Sequence, residues 1–356
     1  MYRKRQKMSV APIGKQVGKQ FRKQVGVIFL ASLVAAVTAI ALPTQTQAQT
    51  IVNLENRALR DEADRLLDVG NTQLKNGKHR EAIKTWLYAI SYYRRVNDQS
   101  AISYTLGRMS EAYLMIGANT AAEETMQQRL TYANTLQEMS TLIQENNNIA
   151  SLEIGKGNLE NATTLTNKVL QLSQQYEQPF GRAIALNNQG LIAGRYGNHL
   201  AAIKLYYASL KEQPIRKSIG AGYTFTNSGD SLMALGNYKS AIKDYEQALT
   251  IATKHRNFAL MSSASDRLIA AYLEIPNFKR IEELLQNRSS LALVMGDRET
   301  AANVQRYLGD LYLSWGNVAK ARLAYQESYD FAAMLEDTAS LPLREAYFKL
   351  QALDKL

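Results

Sequence analysis

Six glycines, Gly77, Gly117, Gly157, Gly197, Gly236 and Gly316, fall 40, 40, 40, 39 and 80 residues apart, and Pro276 stands where the series skips a member. A fixed period sustained seven times overrides the expectation of two or three globular domains in 356 residues. It predicts a solenoid, in which each unit buries its apolar face only against its neighbours.

The unit is clearest at Gly229, Leu232, Leu235-Gly236-Asn237-Tyr238, Ala241, Tyr245 and Ala248-Leu249. Its spacing places small and apolar residues on one face of a first helix and again on one face of a second. Small residues let the two helices approach, and the larger ones fill the remaining space. Gly236-Asn237 supplies the break between them, since both tolerate the left-handed backbone that ends a helix. The last unit repeats the order with Leu308-Gly309, Tyr312, Trp315-Gly316-Asn317, Ala321 and Tyr325.

This pattern resembles the tetratricopeptide repeat family, whose motif is also met at Val69-Gly70, Ala82 and Trp86, and at Gly190, Ala202 and Tyr206. The period exceeds the family's usual unit of roughly 34 residues, and the proline that closes each unit is mostly absent. Units of this length are similar to those of kinesin light chains and of bacterial peptide-sensing regulators. The resemblance implies an all-α, right-handed solenoid of about seven helix-turn-helix repeats whose first helices line a concave groove. We place the repeats over 63–340, at 63–101, 102–142, 143–182, 183–221, 222–260, 261–300 and 301–340. Residues 49–62 lead into the first helix. Residues 341–356, with Ala346, Leu350 and Leu353 at helical spacing, are expected to form a helix that caps the last apolar face.

The first 48 residues differ in kind. Eight basic residues precede the apolar run 25–42, no acid occurs before Glu55, and Thr46-Gln47-Ala48 supplies the small-residue context of a cleavage site. This predicts a secretory signal peptide, cleaved after Ala48; the alternative is a retained signal anchor, since 18 apolar residues stand at the lower limit for spanning a bilayer. Membrane contact is expected only through 25–42, and only if that segment is kept. The formal charge of +10 belongs largely to this segment. Without it 34 basic residues face 32 acids, a net of +2, which offers no basis for binding a polyphosphate such as nucleic acid.

Cysteine is absent, which removes disulfides, thiol chemistry and zinc-thiolate sites. The three histidines, His79, His199 and His255, are not placed near one another or near a nucleophile, and neither a metal nor a cofactor is expected. Glu153, Asp230 and Glu274 form no recognisable pair of catalytic carboxylates, so a hydrolase on a helical solenoid is only a remote alternative. Most of the 20 tyrosines keep fixed places in the repeat, as Tyr113, Tyr272 and Tyr312 do, or Tyr206, Tyr245 and Tyr325, and are assigned to the core. Tyr104 and Tyr223, near the starts of their first helices, are candidates for the groove.

The residue nine before each turn marker reads Asp68, Arg108, Asn148, Asn188, Asn227, Arg267 and Tyr307. Asn147 and Asn187 precede two of these, and the doublet Asn187-Asn188 is similar to the paired asparagines of kinesin-light-chain-like repeats. A carboxamide offers both donor and acceptor and can satisfy the backbone of an extended peptide whatever its side chains. Arg108 and Arg267 add the means to hold a carboxylate bidentately. The competing reading is that these asparagines bond between neighbouring first helices, because asparagine inside a helix needs some such reason. The expected function is a non-enzymatic, exported scaffold or adaptor that binds a peptide or protein partner in its groove, in the periplasm or thylakoid lumen. A membrane-tethered scaffold that organises a complex with its outer faces is the alternative.

Overall fold

The computed structural model describes residues 45–212, 218–335 and 341–353; the basic and apolar parts of the expected signal peptide lie outside them. Among the described residues there are fifteen α-helices and no strand. They form seven hairpins: α1 (Gln45–Lys75) with α2 (His79–Arg95), α3 (Gln99–Met115) with α4 (Asn119–Leu136), α5 (Met139–Lys156) with α6 (Leu159–Gln175), α7 (Pro179–Arg195) with α8 (His199–Lys211), α9 (Ile219–Ala234) with α10 (Tyr238–Lys254), α11 (Phe258–Glu274) with α12 (Phe278–Val294), and α13 (Arg298–Ser314) with α14 (Val318–Ala333). A last helix, α15 (Leu341–Leu353), packs on α13 and α14 and buries Ala346 and Leu353. Residues 49–62 do not form a separate lead-in: they continue α1 without a break.

Six of the seven hairpin turns follow one recipe, and the sixth, with Pro276 in the glycine's place, departs from it. Gly77 takes φ +73°, and the Lys78 N–H donates to the Gln73 carbonyl at 2.9 Å, which satisfies an end carbonyl of α1. The same left-handed turn recurs midway between the glycines, at Asn97, Gln137, Glu177 and Arg256, so the turns alternate every 20 residues or so. Of the pair Gly236-Asn237, only the glycine uses the left-handed backbone that both tolerate. The φ of Asn237 is −86°, and Gly236 alone makes the break. The residue after the marker is instead a helix start: the Asn198 and Asn317 side chains accept from the Ala201 and Lys320 N–H groups at 3.2 and 3.0 Å.

Within a hairpin, an aromatic ring of the second helix lies against a glycine of the first: Trp86 on Gly70, Tyr206 on Gly190, Tyr245 on Gly229 and Tyr325 on Gly309. A β-carbon at any of these glycines would fall inside the ring's van der Waals shell. The four rings are accordingly buried. The apolar core is extensive only at the two ends of the array, over α1–α4 and from α9 to α15. Between them it breaks into three small clusters. There α5 buries Glu145, Asn146, Asn147 and Glu153, so the middle of the solenoid depends on hydrogen bonding.

That dependence sets the response to acid. Asn161, followed by Lys156, holds the Glu153 carboxyl below the ordinary carboxylate range, and Lys320 with Tyr312 does the same for Glu282. The Thr300 hydroxyl and N–H lower Asp297, which caps α13. A carboxylate lowered in the fold contributes stability above the pKa of the unfolded chain, about 4, and that contribution is lost as pH falls through the folded value. The urea midpoint is therefore expected to drop progressively below about pH 5, and Glu153→Gln to flatten that drop.

Candidate binding groove

The curvature follows from which helices touch. In the middle of the array the first helices of successive hairpins meet, α5 with α7, α7 with α9, α9 with α11, whereas successive second helices do not pack to a comparable extent. The closer spacing puts the first helices on the inside of the curve. The closest pair is α5 and α7, and Gly181 permits it, since a β-carbon there would collide with Ile143.

At this contact the asparagines divide into two kinds. Asn147, 0% exposed, donates through Nδ2 to the Gly181 carbonyl at 3.0 Å. Asn188, 2% exposed, donates to the Ser151 hydroxyl at 3.1 Å and to the Asn147 carbonyl at 3.3 Å. Of the two readings open for them, a partner in the groove or bonds between neighbouring first helices, both take the second and join α5 to α7. Asn148, Asn187 and Asn227 are only half-buried. The Asn148 Nδ2 donates to Glu145 Oε2 at 3.2 Å, and the Asn227 Nδ2 donates to Asn187 Oδ1 at 3.1 Å. Each bond fixes the orientation of a carboxamide and leaves other atoms of it unused: Asn148 Oδ1, Asn187 Nδ2 and Asn227 Oδ1.

The two arginines expected to hold a ligand carboxylate already have partners. Arg267 forms a bidentate pair with Asp230 of the preceding first helix, at 2.7 and 3.0 Å, and Asp230 also accepts from the Tyr245 hydroxyl at 2.8 Å. Burial, and then the Asp230 carboxylate, pushes that hydroxyl well above the ordinary tyrosine range. Arg108 bonds Glu111 at 2.5 Å and Asn71 at 3.4 Å. Tyr104 and Tyr223 remain open, 52% and 45% exposed.

A buried ion pair stands behind Asn148 and was not foreseen. Arg129 of α4 donates to Glu145 of α5, whose side chain is fully enclosed. Gly107 of α3 leaves the path for it: a β-carbon there would lie 2.7 Å from the Arg129 guanidinium carbon. The signal was an arginine at the place in the second helix where two other hairpins have Ala89 and Ala248, matched by a glycine in the facing helix.

The described helices form a curved stack of hairpins with a polar inner row. Residues 223–255, which span the fifth hairpin, match the model of the family described as Tetratricopeptide repeat. That hairpin is a tetratricopeptide repeat, and the chain is a solenoid of the tetratricopeptide-repeat type. Solved structures agree on the fold. RapI in its apo form superposes with a TM-score of 0.56 at 16% identity, over 82% of this chain and 99% of that one. The apo form of the quorum sensor NprR from B. thuringiensis gives 0.56 at 15% identity, over 88% and 94%. The Rap conjugation gene regulator of plasmid pLS20, in complex with the Phr* peptide, gives 0.53 at 14%, over 82% and 74%. No curated protein matches the chain in sequence.

Proposed function

We propose that this protein is an exported, non-enzymatic adaptor that holds an extended peptide segment of a partner in the groove lined by α3, α5, α7 and α9. The reading rests chiefly on the three half-buried carboxamides of Asn148, Asn187 and Asn227. An extended peptide alternates N–H and C=O along its length, and acceptors on Asn148 and Asn227 with a donor on Asn187 offer both complements. Tyr104 and Tyr223 provide flat apolar surface for side chains at little entropic cost. The Phr* complex of the Rap regulator gives a precedent for a peptide held by a solenoid of this shape. Export rests on the basic and apolar pattern of residues 1–48, and the compartment is the periplasm or thylakoid lumen.

The test is affinity capture from the envelope or lumen fraction of the source cell, with the protein and with a variant carrying Asn148→Ala, Asn187→Ala and Asn227→Ala. Asn188 is left intact because it joins two helices. A partner retained by the unmutated protein and lost by an equally folded variant supports the groove. Equal capture by both transfers the interaction to the outer faces, and a mature N-terminus other than the one after Ala48 overturns the cleavage.

A further inference from the structure

The outer face carries a second, unrelated feature. Between α8 and α10, with α9 as its floor, lies a cleft of about 620 Å³ lined by Tyr207, Leu210, Lys211, Phe225, Lys243 and Asp244 among others. Asp244 is 3% exposed, and the corresponding position of the other hairpins is Thr85, Thr125, Leu165, Leu205, Leu284 or Ala324, none of them charged. The Tyr207 hydroxyl lies 3.0 and 2.9 Å from its two oxygens. Among the described residues no cation lies within ion-pair distance of it, although a buried carboxylate normally has such a partner. Burial raises its carboxyl, and against that the Ser228 and Tyr207 hydroxyls and the charge of Lys243, next to it in the chain, act to lower it. Lys211 and Lys243, on the exposed rim of the same cleft, have no ion pair among the described residues either.

An anion below, cations at the mouth and apolar walls between them define a complementary shape. We propose that this cleft binds a free α-amino acid with an apolar side chain. The ligand's ammonium pairs with Asp244 beside the faces of Tyr207 and Phe225, which themselves favour a cation. Its carboxylate meets Lys211 and Lys243, and its side chain lies on Leu210 and Phe225. Burial pushes the Asp244 carboxyl upward, and an ammonium arriving there would relieve that penalty. A pocket with apolar walls, few polar groups and one perturbed carboxylate has the general form of a small-molecule site. The inference is independent of the groove, since it uses the opposite face of the solenoid.

Titration calorimetry and thermal shift with the full chain test it, using L-phenylalanine, phenethylamine and 3-phenylpropanoate, which share a ring and differ in charge. Saturable binding of L-phenylalanine is expected, with each singly charged analogue weaker by about tenfold or more, the value of one charge-assisted hydrogen bond. Asp244→Asn keeps the side chain's size and an acceptor for Tyr207, and should lose affinity by a similar factor. Lys243→Gln, on the exposed rim, gives the same test without touching the interior. No saturable response to L-phenylalanine, equal affinity for phenethylamine, or undiminished binding by both folded variants would overturn the assignment.

Discussion

Arg129→Met is expected to lower the unfolding free energy by about 3–5 kcal/mol, the usual cost of removing one partner from a buried ion pair. Methionine keeps most of the arginine's stem, so packing changes little and the loss reports the charge. Glu145 is left fully enclosed, with the Asn148 amide as its remaining side-chain donor. The surroundings have little apolar surface with which to compensate, because this is where the core is reduced to small clusters. Replacing both partners, Arg129→Met with Glu145→Leu, should recover most of the loss, since apolar pairs of similar volume often match or exceed buried ion pairs. Urea unfolding of the two variants decides the matter. A single variant within about 0.5 kcal/mol of the unmutated protein would mean that the pair is solvated. The double variant also releases Asn148 from its anchor, so if the groove acts as proposed it should bind its partner more weakly even where stability has returned.

Much of the fold was legible because the same physical requirements recur, a left-handed glycine turn in six of the seven hairpins and a glycine beneath an aromatic ring in four. Left-handed glycine turns and a glycine beneath an aromatic ring are local demands, and each leaves residues at a fixed spacing. The intermediate turns were harder to see, since Asn97, Gln137, Glu177 and Arg256 have no residue type in common. The groove was legible to the level of the helix face and no further. Consecutive residues on a helix point about 100° apart, so burial at a tight helix contact depends on how each helix is rotated. Asn147 is buried and Asn148 is not, yet Asn187 is the more open member of its pair and Asn188 the closed one. A row counted from the turn marker assumed one rotation for all first helices, and the close approach at Gly181 breaks that assumption. The intramolecular partners of Arg108 and Arg267 were out of reach for a related reason. Their carboxylates lie at different distances in sequence, Glu111 three residues away and Asp230 on the preceding hairpin, and only the stacking brings Asp230 to Arg267.

Trp86→Ala is expected to cost about 3–5 kcal/mol, the range for deleting a buried large aromatic, and also to change how the molecule melts. Trp86 is completely enclosed, rests on Gly70, and its indole N–H donates to the Leu67 carbonyl at 3.2 Å. It belongs to the core of the first two hairpins, which shares no residue with the core running from α9 to α15. In a solenoid each unit is stabilised by its own packing and by its neighbours, so damage at one end need not reach the other. A polar middle couples the two ends weakly, and the variant should unfold in two calorimetric steps, the first hairpins before the last. Hydrogen exchange should show protection lost over α1–α4 and kept over α10–α14. Gly70→Ala, which crowds the same ring, should reproduce the split with a smaller loss of about 1–3 kcal/mol. A single cooperative transition, shifted uniformly in both variants, would show that the hydrogen-bonded middle transmits stability as well as an apolar core does.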